Sequence, residues 1–160
     1  MVIIIYGVSG VGKTTVGVML AKELDWKFYD ADDFHSAANK AKMHAGNPLT
    51  DEDRQGWLQS LRELISGSLE KKENIVLACS ALKQKYRDIL NVNATVKFVL
   101  LYSDYATIEK RITARVGHFM NPQLLKSQFD TLEMPTGDDT VLDASLPTET
   151  IVQEIKKAVL

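Results

Sequence analysis

A single cysteine among 160 residues, Cys79, leaves no partner for an intramolecular bridge, so no disulfide framework holds this chain. A lone thiol fits a reducing compartment, and a cytoplasmic location is the expectation. No apolar run nears the roughly 18 residues of a membrane span. Neither sign of charge dominates: 19 basic against 21 acidic side chains give a net charge of −2, which excludes the broad basic footprint of a nucleic-acid binder. Repeats and low-complexity tracts are absent, which excludes solenoids and disordered tails. The apolar opening Val2–Ile5 has no basic run before it and meets glycines at once, so it reads as a buried strand rather than a leader. What is left is an ordinary globular composition, 45% hydrophobic and 25% charged. A chain of this length can bury about 70% of its unfolded surface and needs no staple.

Short apolar runs alternate with helical stripes. Val2–Tyr6, Lys27–Asp30, Asn74–Cys79, Val96–Tyr102 and Val141–Asp143 read as strands. Val16, Leu20 and Leu24 recur at helical spacing and predict a helix over Lys13–Asp25. Phe34–Gly46 is expected to be helical, with a turn at Gly46-Asn47-Pro48. Thr50 to Asp53 forms a capping box ahead of a long stripe running from Trp57 to Leu69. Ser80 and Ser103 are expected to cap the next two helices, and Asn121-Pro122 opens another that ends by Pro135. A terminal helix carries Ile151, Ile155 and Val159. Strands and helices in alternation predict a single α/β domain over 1–160, a five-stranded parallel sheet with helices on both faces. Ligands of such sheets sit beyond the carboxyl ends of the strands.

The first of those ends carries Gly7-Val8-Ser9-Gly10-Val11-Gly12-Lys13-Thr14, which satisfies G-x-x-x-x-G-K-[ST]. Glycines let the backbone curl until successive N–H groups face phosphate oxygens, and the helix starting at Lys13 adds its positive dipole end. Lys13 bridges the outer phosphates and the Thr14 hydroxyl reaches Mg²⁺. We assign Gly7, Val8, Ser9, Gly10, Val11, Gly12, Lys13, Thr14 and Thr15 to the nucleotide. The dinucleotide pattern G-x-G-x-x-G does not fit this spacing. Ser80-Ala-Leu-Lys83 matches S-x-x-K but lacks the companion motifs of an acyl-enzyme. No Asn-Lys-x-Asp guanine reader follows, and Asp53-x-x-Gly56 falls inside a helical stripe, so a small-molecule kinase fits better than a GTPase switch.

The acceptor side begins with Asp30, Asp32, Asp33 and His35. Carboxylates this close repel one another unless a metal or a proton transfer uses them, and phosphoryl transfer needs both. Asp30 is assigned to Mg²⁺ and Asp32 to the attacking hydroxyl, on the same side of the chain if extended geometry continues past Asp30. Lys83 and Arg87 stand four apart on the expected helix, and Arg54 lies in the first turn of its own. These three cations and His35 are candidates for an anionic acceptor. A lid is expected over about 111–134, with Arg111 on the nucleotide, Arg115 on the transferring phosphoryl group and His118 on the acceptor.

These residues, together with Gly46-Asn47-Pro48-Leu49-Thr50-Asp51-Glu52-Asp53-Arg54, Cys79-Ser80-Ala81-Leu82-Lys83, Gly117-His118-Phe119-Met120 and Ser127-Gln128-Phe129, resemble the gluconate kinase (gluconokinase) family over nearly the whole chain. The resemblance implies ATP-dependent phosphorylation of D-gluconate at its 6-hydroxyl with Mg²⁺. It also implies a three-layer P-loop kinase fold like that of nucleoside monophosphate kinases and, often, a homodimer. Neither a nucleic acid nor a membrane is an expected partner. Ala31 replaces a usual glycine and Ser36 a usual proline, and 134–146 matches poorly, which leaves the adenine contacts unassigned. The alternatives are a kinase of another small hydroxy acid such as shikimate, which shares the loop and an Asp-x-Asp, and a non-catalytic ATP-binding switch.

Overall fold

The computed structural model describes residues 1–114 and 122–160. Five parallel strands, β1 (Val2–Tyr6), β2 (Lys27–Asp30), β3 (Ile75–Cys79), β4 (Val96–Tyr102) and β5 (Thr140–Asp143), make one sheet in the order β2-β3-β1-β4-β5. The helices are α1 (Lys13–Leu24), α2 (Ala37–His44), α3 (Asp51–Glu70), α4 (Gln84–Leu90), α5 (Tyr105–Ala114), α6 (Pro122–Thr131) and α7 (Thr148–Val159). From β1 the chain moves outward to β2 and back to β3, then crosses β1 to build β4 and β5 on the other side. The expected five strands and both helical layers are present.

β1 is apolar throughout because each of its faces is covered. Ile3 and Ile5 pack with Val16 and Leu20 of α1, Ile108 and Ile112 of α5, and Ile151 and Ile155 of α7. Val2, Ile4 and Tyr6 point the other way, against Trp57, Leu61 and Ile65 of α3 and Leu90 of α4. Complete burial of such a side chain contributes about 1.5–3 kcal/mol. Gly17, inside α1, is required by the same packing: a Cβ there would come within 2.5 Å of the Phe28 ring on β2.

Local signals set most of the boundaries. Thr50 and Asp53 close the predicted capping box in both directions, an arrangement worth about 1 kcal/mol. Two predicted caps are corrected. Ser80 does not start α4; the chain stays irregular through Ala81, whose φ is +40°, and Lys83 is the N-cap. Ser103 yields to Asp104, whose carboxylate accepts from the Thr107 amide at 2.8 Å. The acidic turn is corrected too: the chain does not stay extended past Asp30 but winds into a 3₁₀ turn over Ala31–Phe34, capped by Asp30 itself. Among the described residues, no helix is long and apolar enough to cross a membrane.

Candidate active site

The carboxyl ends of β1, β2 and β3 open into a cavity of about 580 Å³. Its walls include Lys13, Thr14, Asp30, Asp32, Asp33, His35, Arg54 and Lys83, with Leu124, Ser127, Gln128 and Thr131 from α6. A second cavity of about 360 Å³ lies against the phosphate loop as well; Gly12 and Thr15 line both, and Arg111, Ala144 and Leu146 line only the second.

The loop leaves β1 at Gly7, where φ is +147° and a Cβ would press within 2.6 Å of the Leu101 carbonyl oxygen. Only glycine permits that turn. Lys13 folds back over the loop, and its Nζ donates to the carbonyls of Gly7 and Val8 at 2.9 Å each. Desolvation lowers its pKa, while the carboxylates of Asp32 and Asp30 pull the other way. The Thr14 hydroxyl donates to Asp30 Oδ2 at 3.2 Å, and Asp30 Oδ1 accepts from the Asp32 amide at 3.0 Å. One carboxylate thus joins the start of α1 to the acidic turn. Asp32 stands on the wall of the crevice, open to the water within it. Partial desolvation there, followed by the charge of Asp30, raises its pKa against the opposing pull of Lys13.

The far end of the cavity is built by α3 and the β3–α4 turn. Arg54 donates to the Leu49 carbonyl at 2.6 Å and lies 5.3 Å above the Tyr86 ring. Lys83 is 5.7 Å from the same ring and 3.0 Å from Asp51. Asp51 also accepts from Lys85 and from the Tyr86 hydroxyl, and these donors hold its carboxyl well below the usual range. His35 stacks on Trp57 with ring centroids 4.2 Å apart, and burial followed by the Arg54 charge lowers its pKa to about 4. The imidazole is therefore neutral near pH 7. Sequence patterns mark Trp57 as core and give no separate role to Asp51 or Tyr86; Asp51 is hidden between the two residues of the capping box, Thr50 and Asp53.

Arg87 is the main departure from the predicted site. It is 1% exposed and stays off the cavity wall. Its guanidinium donates to the carbonyls of Ala81 and Glu133 at 2.7 Å each and stacks 4.7 Å over Tyr6. Helical spacing paired it with Lys83, but the helix begins after Lys83, so the two point into different surroundings. Arg111 donates to the Ala144 carbonyl at 2.5 Å and more weakly to that of Val11 at 3.5 Å, beside the second cavity. Arg115 and His118 lie outside the described residues.

The Thr14–Asp30 pair tests the expected metal. A hydroxyl and a carboxylate are hard oxygen donors that suit Mg²⁺, which keeps several waters and takes its remaining ligands from substrate phosphates. Among the described residues, no group of three or more His, Cys, Asp or Glu side chains could hold a metal alone. The residues fit a metal that arrives with its nucleotide.

A phosphate loop feeding a crevice with a carboxylate opposite its lysine defines a P-loop small-molecule kinase. Comparison with known proteins narrows the class. The family described as Shikimate kinase matches residues 9–159. A probable gluconokinase of Rattus norvegicus is 42% identical over 178 residues, covering 99% of this chain and 95% of that protein. The thermosensitive gluconokinase of Escherichia coli K12 is 43% identical, covering 98% and 86%. The crystal structure of a gluconokinase from Sinorhizobium meliloti 1021 superposes with a TM-score of 0.88 at 38% identity, covering 98% and 90%. The chain belongs to the gluconokinase family of P-loop kinases.

Proposed function

We propose that this protein transfers the γ-phosphoryl group of ATP to the 6-hydroxyl of D-gluconate, releasing ADP and 6-phospho-D-gluconate. The observation that carries this reading is the cavity itself, whose lining brings Lys13 and Asp32 together with Arg54, Lys83 and neutral His35. The loop amides and Lys13 hold the phosphates. Thr14 and Asp30 hold Mg²⁺, which when bound neutralises charge on the β- and γ-phosphates. Arg111, Ala144 and Leu146 receive the nucleobase in the second cavity, which meets the first at Gly12 and Thr15.

Arg54 and Lys83 take the carboxylate of the acceptor, and His35 hydrogen-bonds a hydroxyl without adding charge. Asp32 accepts the proton of the 6-hydroxyl as its oxygen bonds to phosphorus and the bond to the β–γ bridging oxygen breaks, with the electron pair leaving on ADP. The raised pKa of Asp32 makes it a better proton acceptor than an ordinary aspartate.

Coupled ADP release measured with gluconate, shikimate and glucose tests the assignment. Turnover is expected with gluconate and should be at least about 10²-fold weaker in kcat/KM with glucose, which lacks the carboxylate. Comparable rates on gluconate and glucose would overturn it, and preference for shikimate would establish the other hydroxy-acid reading. ADP release with none of the three would leave a nucleotide-binding switch.

A further inference from the structure

The peptide unit joining Val8 to Ser9 is held on both sides. Its carbonyl accepts from Lys13 Nζ at 2.9 Å, and its N–H donates to Gln128 Oε1 at 2.7 Å. Gln128 belongs to α6, 119 residues along the chain from Ser9. An N–H donor can be met only by the amide oxygen, so the orientation of the Gln128 amide is settled and Nε2 is its opposite end. That Nε2 has no hydrogen-bond partner among the described residues, although Gln128 lines the larger cavity.

The position of this donor along the loop decides what it can meet. The amides near Gly12–Thr14 stand at the N-terminus of α1, where the dipole draws the inner phosphates. With the nucleobase in the smaller cavity, the terminal phosphoryl group extends into the larger one, toward Asp32. Gln128 lines the larger cavity and not the smaller. Resting on the kinase reading above, we infer that Gln128 is a contact residue for the terminal phosphoryl group of the nucleoside triphosphate. Oε1 anchors it to the Ser9 amide while Nε2–H donates to a γ-phosphoryl oxygen. The side chain thereby distinguishes triphosphate from diphosphate, because only the former reaches it. A neutral amide is suited to this place: it donates toward anionic oxygen without adding a cation that would bind ADP as well.

The test compares AMP-PNP with ADP by isothermal titration at saturating Mg²⁺, without acceptor, in the wild-type protein, Gln128→Glu and Gln128→Ala. The glutamate keeps the acceptor oxygen and replaces the donor with a negative charge. Its AMP-PNP affinity should fall by about 10-fold or more while ADP affinity stays within about 2-fold. The alanine should show a smaller selective loss, and kcat should drop by about 10²-fold in the glutamate variant and about 10-fold in the alanine. Equal losses for the two nucleotides, or no loss for either, would overturn the inference and leave Gln128 as a brace for the loop. Because the titration contains no acceptor, an error in the choice of gluconate would not alter its outcome.

Discussion

Thr14 and Asp30, 16 residues apart in sequence, meet at 3.2 Å because α1 returns the chain to the sheet two strands from where it left. Their hydrogen bond occupies the place where a hydrated Mg²⁺ would find a hydroxyl and a carboxylate together. Thr14→Ala and Asp30→Asn should each raise the Mg²⁺ concentration needed for half-maximal rate by about 10-fold or more, with little change in gluconate KM. Excess EDTA should stop the wild-type protein. Undiminished turnover in EDTA would remove the metal from the scheme.

Lys13 donates to two loop carbonyls in partly buried hydrogen bonds and itself lines the cavity, so water entering from the cavity can take the place of its ammonium. Lys13→Ala should therefore reduce kcat/KM by about 10³-fold or more while melting within a few degrees of the wild type. A comparable collapse in melting temperature would make Lys13 chiefly a brace for the loop.

Asp32→Asn should lose kcat by about 10²–10⁴-fold with gluconate binding retained. Stability should move the other way. The folded pKa of Asp32 lies above its ordinary 3.8, so the fold favours the protonated form. That contribution is present below 3.8 and disappears as pH rises through the folded pKa, leaving an ionised, destabilising carboxylate at neutral pH. Melting curves at pH 7 should show Asp32→Asn at least as stable as the wild type. A variant that is both active and less stable would contradict both roles.

His35 predicts an acid-labile contribution to stability. Its pKa is about 4 in the fold against an ordinary 6.5, so the stabilisation is complete above 6.5 and is lost as pH falls through 4. The span corresponds to roughly 3 kcal/mol. The melting-temperature difference between wild type and His35→Gln should shift in favour of the variant between pH 7 and pH 4. A difference independent of pH would mean that the imidazole is not held neutral against Trp57.

Arg87 and Lys83 should separate cleanly. Arg87→Met leaves the buried carbonyl of Ala81 and the partly buried one of Glu133 without their donor and removes the cation from Tyr6. A loss of about 2–4 kcal/mol, or several degrees of melting temperature, is expected. Lys83→Met should leave the melting temperature nearly unchanged, since its ion pair with Asp51 is partly exposed, and should raise gluconate KM. The reverse pattern would restore Arg87 to the acceptor site.

The elements that could be read in advance are those set by local chemistry. The spacing of Val16 and Leu20 marked α1, the Thr50–Asp53 box set the start of α3, and the glycines before Lys13 announced a curled phosphate loop, because period, cap and backbone freedom act within a few residues. The resemblance to gluconokinases was likewise carried by contiguous motifs. Tertiary structure alone decided that Arg87 turns away from the cavity, that Asp51 gathers Lys83, Lys85 and Tyr86, and that Gln128 grips the Ser9 amide. Each of these depends on where a helix begins or on how two segments distant in the chain are brought together. The shift of the α4 N-cap from Ser80 to Lys83 separates Lys83 from Arg87, and only the packing of α6 over the loop brings an amide to Ser9. Helical spacing says which residues share a face, while the sheet crossovers decide what that face meets.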